Sequence, residues 1–175
     1  YRVHMTVATV CAAHDDARRL RLALLEELSR SVPFDAFAWL LTDPETEVGT
    51  SPVADVPCLS ELPRLVRLKY SMSINRWTHQ SEPVARLHDV TRGRLDESLI
   101  WRGLLVHHGV TDVASMVFRD RWGCWSFLAL WLPAGADAVE PLGHRRRVVV
   151  HLQLAGLARG QLVLHLPHAH LRLDL

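Results

Sequence analysis

The stretch Asp112–Leu132, DVASMVFRDRWGCWSFLALWL, is where the fold of this chain is decided. Up to Arg119 it alternates Val113, Ser115 and Val117 with Ala114, Met116 and Phe118. From Cys124 it alternates Trp125, Phe127, Ala129 and Trp131 with Ser126, Leu128, Leu130 and Leu132. A period of two marks strands, and Asp120–Gly123 supplies a tight turn whose glycine tolerates a positive φ. Both faces are largely apolar. These are therefore central strands of an antiparallel sheet with material packed on each side, and Pro133 ends the second.

Working outward, Asp35–Thr42 (DAFAWLLT) sets Phe37, Trp39 and Leu41 against Ala36, Ala38 and Leu40, another strand covered on both faces. Asp43-Pro44 and the polar run to Gly49 turn the chain, and a loop holding Pro52 and Pro57 follows. Ahead of this strand, Leu20, Leu24 and Leu28 recur every four residues between about Asp16 and Val32, widened by Ala17, Leu25 and Val32. Arg18, Arg19, Arg21, Glu26, Glu27 and Arg30 take the opposite face. Asp15 or Asp16 caps this amphipathic helix and Pro33 stops it. Helices are also predicted from Ser60 to about Tyr70, with Pro63 in the first turn, and from Asp96 to His108, with Gly109 as a left-handed C-terminal cap. The intervening Ser71–Gly93 reads as a loop with one or two short strands. After Gly143 the chain becomes rich in His, Leu and Arg, and 144–175 stays open between a closing helix and strands.

A length of 175 residues, 49% of them hydrophobic, with a net charge of +1 and a single lysine (Lys69), fits one globular domain. That charge balance lacks the basic footprint of a nucleic-acid binder. Cys11, Cys58 and Cys124 are odd in number and far apart, which argues against a disulfide framework or a zinc knuckle and points to a reducing, cytoplasmic setting. The apolar part of Met5–Ala13 is short for a secretory signal. No run reaches the roughly 18 apolar residues that span a bilayer, so no membrane role is expected.

There is no GxSxG, HExxH, P-loop or GxGxxG, so no catalytic residue and no cofactor is assigned. The run His165-x-x-His168-x-His170 has no carboxylate or cysteine within it to complete a metal site, and no metal is expected. Arg145–Arg147 fits a solvated surface better than a phosphate patch. The chemical feature that stands out is six tryptophans. Indoles can line a cleft and stack on a planar or apolar ligand, or fill a core between sheet and helices. Trp39, Tyr70, Trp77, Trp101, Trp125 and Phe127 are the candidate pocket lining. Trp122, in the hairpin turn, is the candidate for contact with a partner.

The N-terminal amphipathic helix, VPFDAFAWLLTDPET (Val32–Thr46), RLVRLKYSMSINRWT (Arg64–Thr78) and WRGLLVHHGVTDVASMVFRDRWGCWSFLALW (Trp101–Trp131) together resemble the GAF-like sensory domain at the front of actinobacterial LuxR-type transcriptional regulators. The resemblance covers about Asp15 to Pro133. It implies an α+β fold, a GAF/PAS-like twisted antiparallel sheet with helices packed on one face and a ligand pocket or loops on the other, over residues 15–143. It also implies a non-enzymatic domain that binds an unknown small-molecule effector or forms a homodimer. Such a domain biases a C-terminal helix-turn-helix domain, the only route to DNA, for which these 175 residues carry no pattern. The 144–175 tail does not look like the family's closing helix. Two rival readings stay open. One is a GAF-fold cysteine-dependent reductase, which needs Cys58 and Cys124 within bridging distance. The other is a ligand-free interaction module that dimerises through the Asp16–Val32 helix.

Overall fold

Asp16 accepts a hydrogen bond from the Arg19 amide at 2.8 Å and starts α1 (Ala17–Ser29), satisfying a free amide of the first turn. Two antiparallel strands follow, β1 (Ala36–Thr42) and β2 (Gly49–Asp55), then α2 (Leu62–Ser71). After a 3-10 turn at Trp77–His79 come β3 (Val84–Arg86), the single-turn α3 (Leu87–Val90) and α4 (Leu99–Gly103). The hairpin strands are β4 (Asp112–Asp120) and β5 (Gly123–Leu132). The sheet order is β2-β1-β5-β4-β3, with every pairing antiparallel. Strands β6 (His151–Gln153), β7 (Gln161–Leu166) and β8 (Ala169–Asp174) form a second antiparallel sheet in chain order, so these leucine-rich segments after Gly143 are strands. The computed structural model describes the backbone of 16–30, 32–133, 151–153, 161–166 and 169–174, and the side chains of 16–30 and 32–133. Cys11, Met5–Ala13 and Arg145–Arg147 lie outside the described residues, as do the side chains of the His165–His170 run.

The class is α+β, and the hairpin strands and β1 are covered on both faces as their alternation requires. On one face Leu20, Leu24 and Leu25 of α1 pack against Trp39, Ala114, Phe118, Leu128 and Leu130. On the other, Leu65 of α2, Leu87 of α3, Ile100 of α4 and the adjacent Leu104 and Leu105 cover Val113, Val117, Phe127, Ala129 and Trp131. Helices therefore lie on both faces rather than one. Each apolar sheet face needs a cover, and the stripe of α1 and the shorter helices each supply one.

Three local expectations change. The segment holding Pro52 is a strand, not a loop. It lies at the sheet edge, where a missing N–H interrupts no interior ladder. Trp39 pairs with Val53 and Leu41 with Thr50, so Ser51 and Pro52 together oppose Leu40 in a β-bulge, with Ser51 at φ +44°. Arg21, which periodicity assigns to the solvent face, is 5% exposed and donates to the Trp39 carbonyl at 3.1 Å and the Ser51 carbonyl at 2.8 Å. The bulge supplies the acceptors that make burying this cation tolerable. The predicted Asp96–His108 helix is interrupted. Ser98 caps α4, the chain breaks at Leu104 (φ −148°), and a 3-10 turn at Leu105–His108 ends on Gly109, which takes the left-handed cap at φ +68°. The break lets the neighbours Leu104 and Leu105 both enter the core, 1% and 2% exposed.

Candidate functional site

The hairpin itself sorts the aromatic candidates. Phe118 pairs with Ser126 but Arg119 pairs with Cys124, which leaves Trp125 as the extra residue of a second bulge. The bulge shifts the phase of β5. Cys124 takes the core position on the α2 side that simple alternation gives to Trp125. Trp125 instead donates its indole N–H to Asp120 Oδ1 at 2.9 Å, at the hairpin end, and is not part of a pocket wall with Phe127. At the tip, Gly123 takes φ +139°, where a Cβ would lie 2.5 Å from the Pro44 carbonyl oxygen. Trp122 is 66% exposed there, with Arg121 over its ring at 4.8 Å.

Trp39 is also separated from the others. It faces α1, stacks on Phe118 at 5.6 Å and donates its indole N–H to Ser126 Oγ at 2.6 Å. Trp101 packs at the margin of the opposite core and donates to the Val110 carbonyl at 3.1 Å. Three candidates do come together on the α2 side. Tyr70 meets Trp77 edge to face at 5.0 Å between centroids, and Trp77 lies 5.3 Å from Phe127. The Tyr70 hydroxyl accepts from the Gly49 amide at 2.9 Å, tying α2 to the start of β2.

The composition reading singled out no role for Lys69, and it is the charged member of this group. Its ammonium sits 4.6 Å from the centroid of Phe127, a cation–π contact. Lys69 is half-buried, and burial pulls the lysine down to about 8. No charged neighbour contributes to that shift among the described residues. At pH 7 most of the population remains cationic. A sequence signal was available: Lys69 lies one turn beyond the inward-facing Leu65 and three residues before the buried Met72.

Lys69 borders a small crevice of about 10 Å³ between α2, the 72–75 segment, the short helices and the sheet, with Met72, Asn75, Ile100, Ser115 and Trp131 among its walls. That volume holds about one water. Asn75, at φ +56°, donates through Nδ2 to the fully buried Ser115 hydroxyl at 3.0 Å. The layer over this face is short of hydrogen-bond partners. Asn75 Oδ1, Arg76 Nε, Trp77 Nε1, Thr78 Oγ1 and Gln80 Oε1 are buried without a partner among the described residues. Trp77 and Gln80 are 4% and 7% exposed.

A larger groove of about 370 Å³ lies at the end of the sheet, bordered by Asp35, Asp55, His108 and Trp131. Asp35 and Asp55 are exposed there, and His108 is taken up by Glu61 at 3.0 Å. None of its lining side chains is a buried group without a partner among the described residues, whereas the inner crevice has Asn75 Oδ1. Cys58 and Cys124 are both 0% exposed, and burial pushes the Cys58 thiol up, the opposite of what activates a nucleophile. Among the described residues no group of three or more His, Cys, Asp or Glu side chains is placed to hold a metal. No described helix is long and apolar enough to cross a membrane. Comparison with protein-family models, curated proteins and solved structures finds no significant match.

Proposed function

We propose that this chain is a regulatory sensing domain whose effector site is the crevice beneath α2 and the Met72–Gln80 segment. The observation that carries this reading is the concentration of polar groups without partners among the described residues, from Asn75 to Gln80 and at Arg119 Nε, together with a lone ammonium on the α2 side of the sheet. Buried donors and acceptors are normally paired, and an exception on this scale calls for an explanation. In its present shape the crevice admits a single water, so an effector enters by displacing the cover. Binding would then bias a neighbouring output domain by population shift. The sequence resemblance to GAF-like domains of LuxR-type regulators supports the same role, with cytoplasmic location, homodimerisation and a separate C-terminal helix-turn-helix domain for DNA as its corollaries. No catalytic role is proposed.

Trp77 reports on the cover through its contact with Phe127, the ring beneath the Lys69 ammonium. Fractionated metabolite pools are expected to shift tryptophan emission and raise the melting temperature of the wild type, with the emission change lost in Trp77→Phe. A folded wild-type protein that responds to no fraction by either measure sinks the sensing role. The small volume of the crevice favours a second reading, a ligand-free interaction module whose contact is the exposed Trp122 rather than the Asp16–Val32 helix, since the apolar stripe of that helix is spent on the sheet. That reading is tested by mass in solution, since Trp122→Ala should abolish any concentration-dependent association.

A further inference from the structure

The charge beneath α2 specifies more than the existence of a ligand. Lys69 is the only lysine in the chain. The one contact found for its ammonium among the described residues is the face of Phe127, and a π face compensates a buried cation only in part. The crevice beside it is walled mostly by apolar side chains, Met72, Ile100 and Trp131 among them, with Asn75 and Ser115 as its polar members. The Trp77 indole N–H is a further unpaired donor in the cover, on a ring that also contacts Phe127. A cation bordering a mostly apolar lining matches a molecule with one carboxylate and a hydrocarbon body. An amine would meet like charge, and a neutral hydrocarbon would leave the ammonium uncompensated.

Along α2, Leu65 alone is fully buried, while Leu62, Val66 and Tyr70 face outward. The adjoining segment holds Asn75 in the left-handed region and the run of unpaired atoms from Asn75 to Gln80. Each such atom carries a desolvation cost in the closed form, so a modest opening that wets or pairs them takes less than opening the α1 side.

We propose that the effector recognised here is a small monocarboxylate with an apolar body, held by an ion pair to Lys69 beneath α2. The proposal rests on the sensing role assigned above and narrows it to one ligand chemistry. Octanoate is the probe, with octanamide as its uncharged counterpart, and the single lysine makes the readout unambiguous. In protein labelled with [ε-¹³C]lysine, one side-chain signal is expected, and octanoate should shift it together with tryptophan emission. Octanamide should bind at least tenfold more weakly. Lys69→Met should lose at least tenfold in octanoate affinity, and Lys69→Arg should keep the preference for octanoate over octanamide. A thermal transition in both variants confirms that they fold. Equal binding of the two probes, or unchanged octanoate affinity in Lys69→Met, would overturn the ion pair while leaving the crevice as a binding site. A lysine signal and a tryptophan emission that respond to neither probe would overturn the ion pair, and the metabolite screen would then decide the sensing role by itself.

Discussion

The two layers that sandwich the sheet bury tryptophans to a similar degree, Trp39 at 1% and Trp77 at 4% exposure, but treat their indole N–H groups oppositely. Beneath α1, Trp39 Nε1 donates to Ser126 Oγ, Ser126 Oγ donates to the Leu40 carbonyl, and Arg21 donates to the Trp39 and Ser51 carbonyls. That layer is closed in the hydrogen-bonding sense. Beneath α2 the Trp77 N–H, the Asn75 side-chain carbonyl and the Gln80 side-chain carbonyl go without partners among the described residues, and a lysine ammonium rests on a ring. A core shaped only for stability satisfies its polar groups, and departures from that consistency concentrate where function is placed. The α1 layer is scaffold, and the α2 layer carries the proposed site.

The largest effect that follows from this contrast is at Trp39. Trp39→Ala is expected to lower stability by about 4 kcal/mol in urea unfolding, since it opens a cavity in a closed layer. A sharper comparison removes only the N–H and one ring. Trp39→Phe strips a donor from Ser126, whereas Trp77→Phe removes a donor that has no acceptor, so the former should cost about 2 kcal/mol more. Equal losses would erase the distinction between the layers.

Next in size is the lysine. Its folded value of about 8 lies below the 10.5 of a free lysine, so between those values the unfolded chain holds a proton that the folded chain has released. Stability should therefore rise with pH from about 8 to about 10.5 and be lowest, on this account, below pH 8. Lys69→Met should flatten the rise and add about 1.5 kcal/mol at pH 7, allowing for water around the half-exposed stem. A wild-type profile flat across that window removes the buried charge from the account. The smallest expected effect is at the α1 cap. Asp16→Ala should cost about 1 kcal/mol and speed amide exchange in the first turn of α1, without altering any property of the α2 layer.

How much of this was legible in the sequence depended on whether a residue obeyed its local rule. The α1 stripe, β1, the hairpin and Gly109 did so, because hydrophobic period and glycine conformation are properties of the chain itself. The errors lie where tertiary structure supplies what the chain lacks. Arg21 reads as a surface charge until the carbonyls at Trp39 and Ser51 are placed beside it. Pro52 reads as a loop until its strand is known to be an edge. One inserted residue moved Trp125 off the face that alternation gave it. Composition flagged Tyr70, Trp77 and Phe127 but could not say that Trp39 lay beyond the sheet. Lys69 went unassigned because a lysine on a helix ordinarily points to water, and only the packing of α2 sets this one beside the Phe127 ring.

The bulge in β2 has a further consequence. An edge strand is a template on which another molecule can add its own strand, and a flat one invites open-ended growth into fibres. Here Pro52 removes an amide from that edge, and Ser51 at φ +44° bends the backbone out of register. The opposite edge, β3, is only three residues long and follows Pro83. Both margins of the five-stranded sheet resist recruitment, so the same irregularity that gives Arg21 its acceptors also keeps copies of this domain from polymerising through their edges.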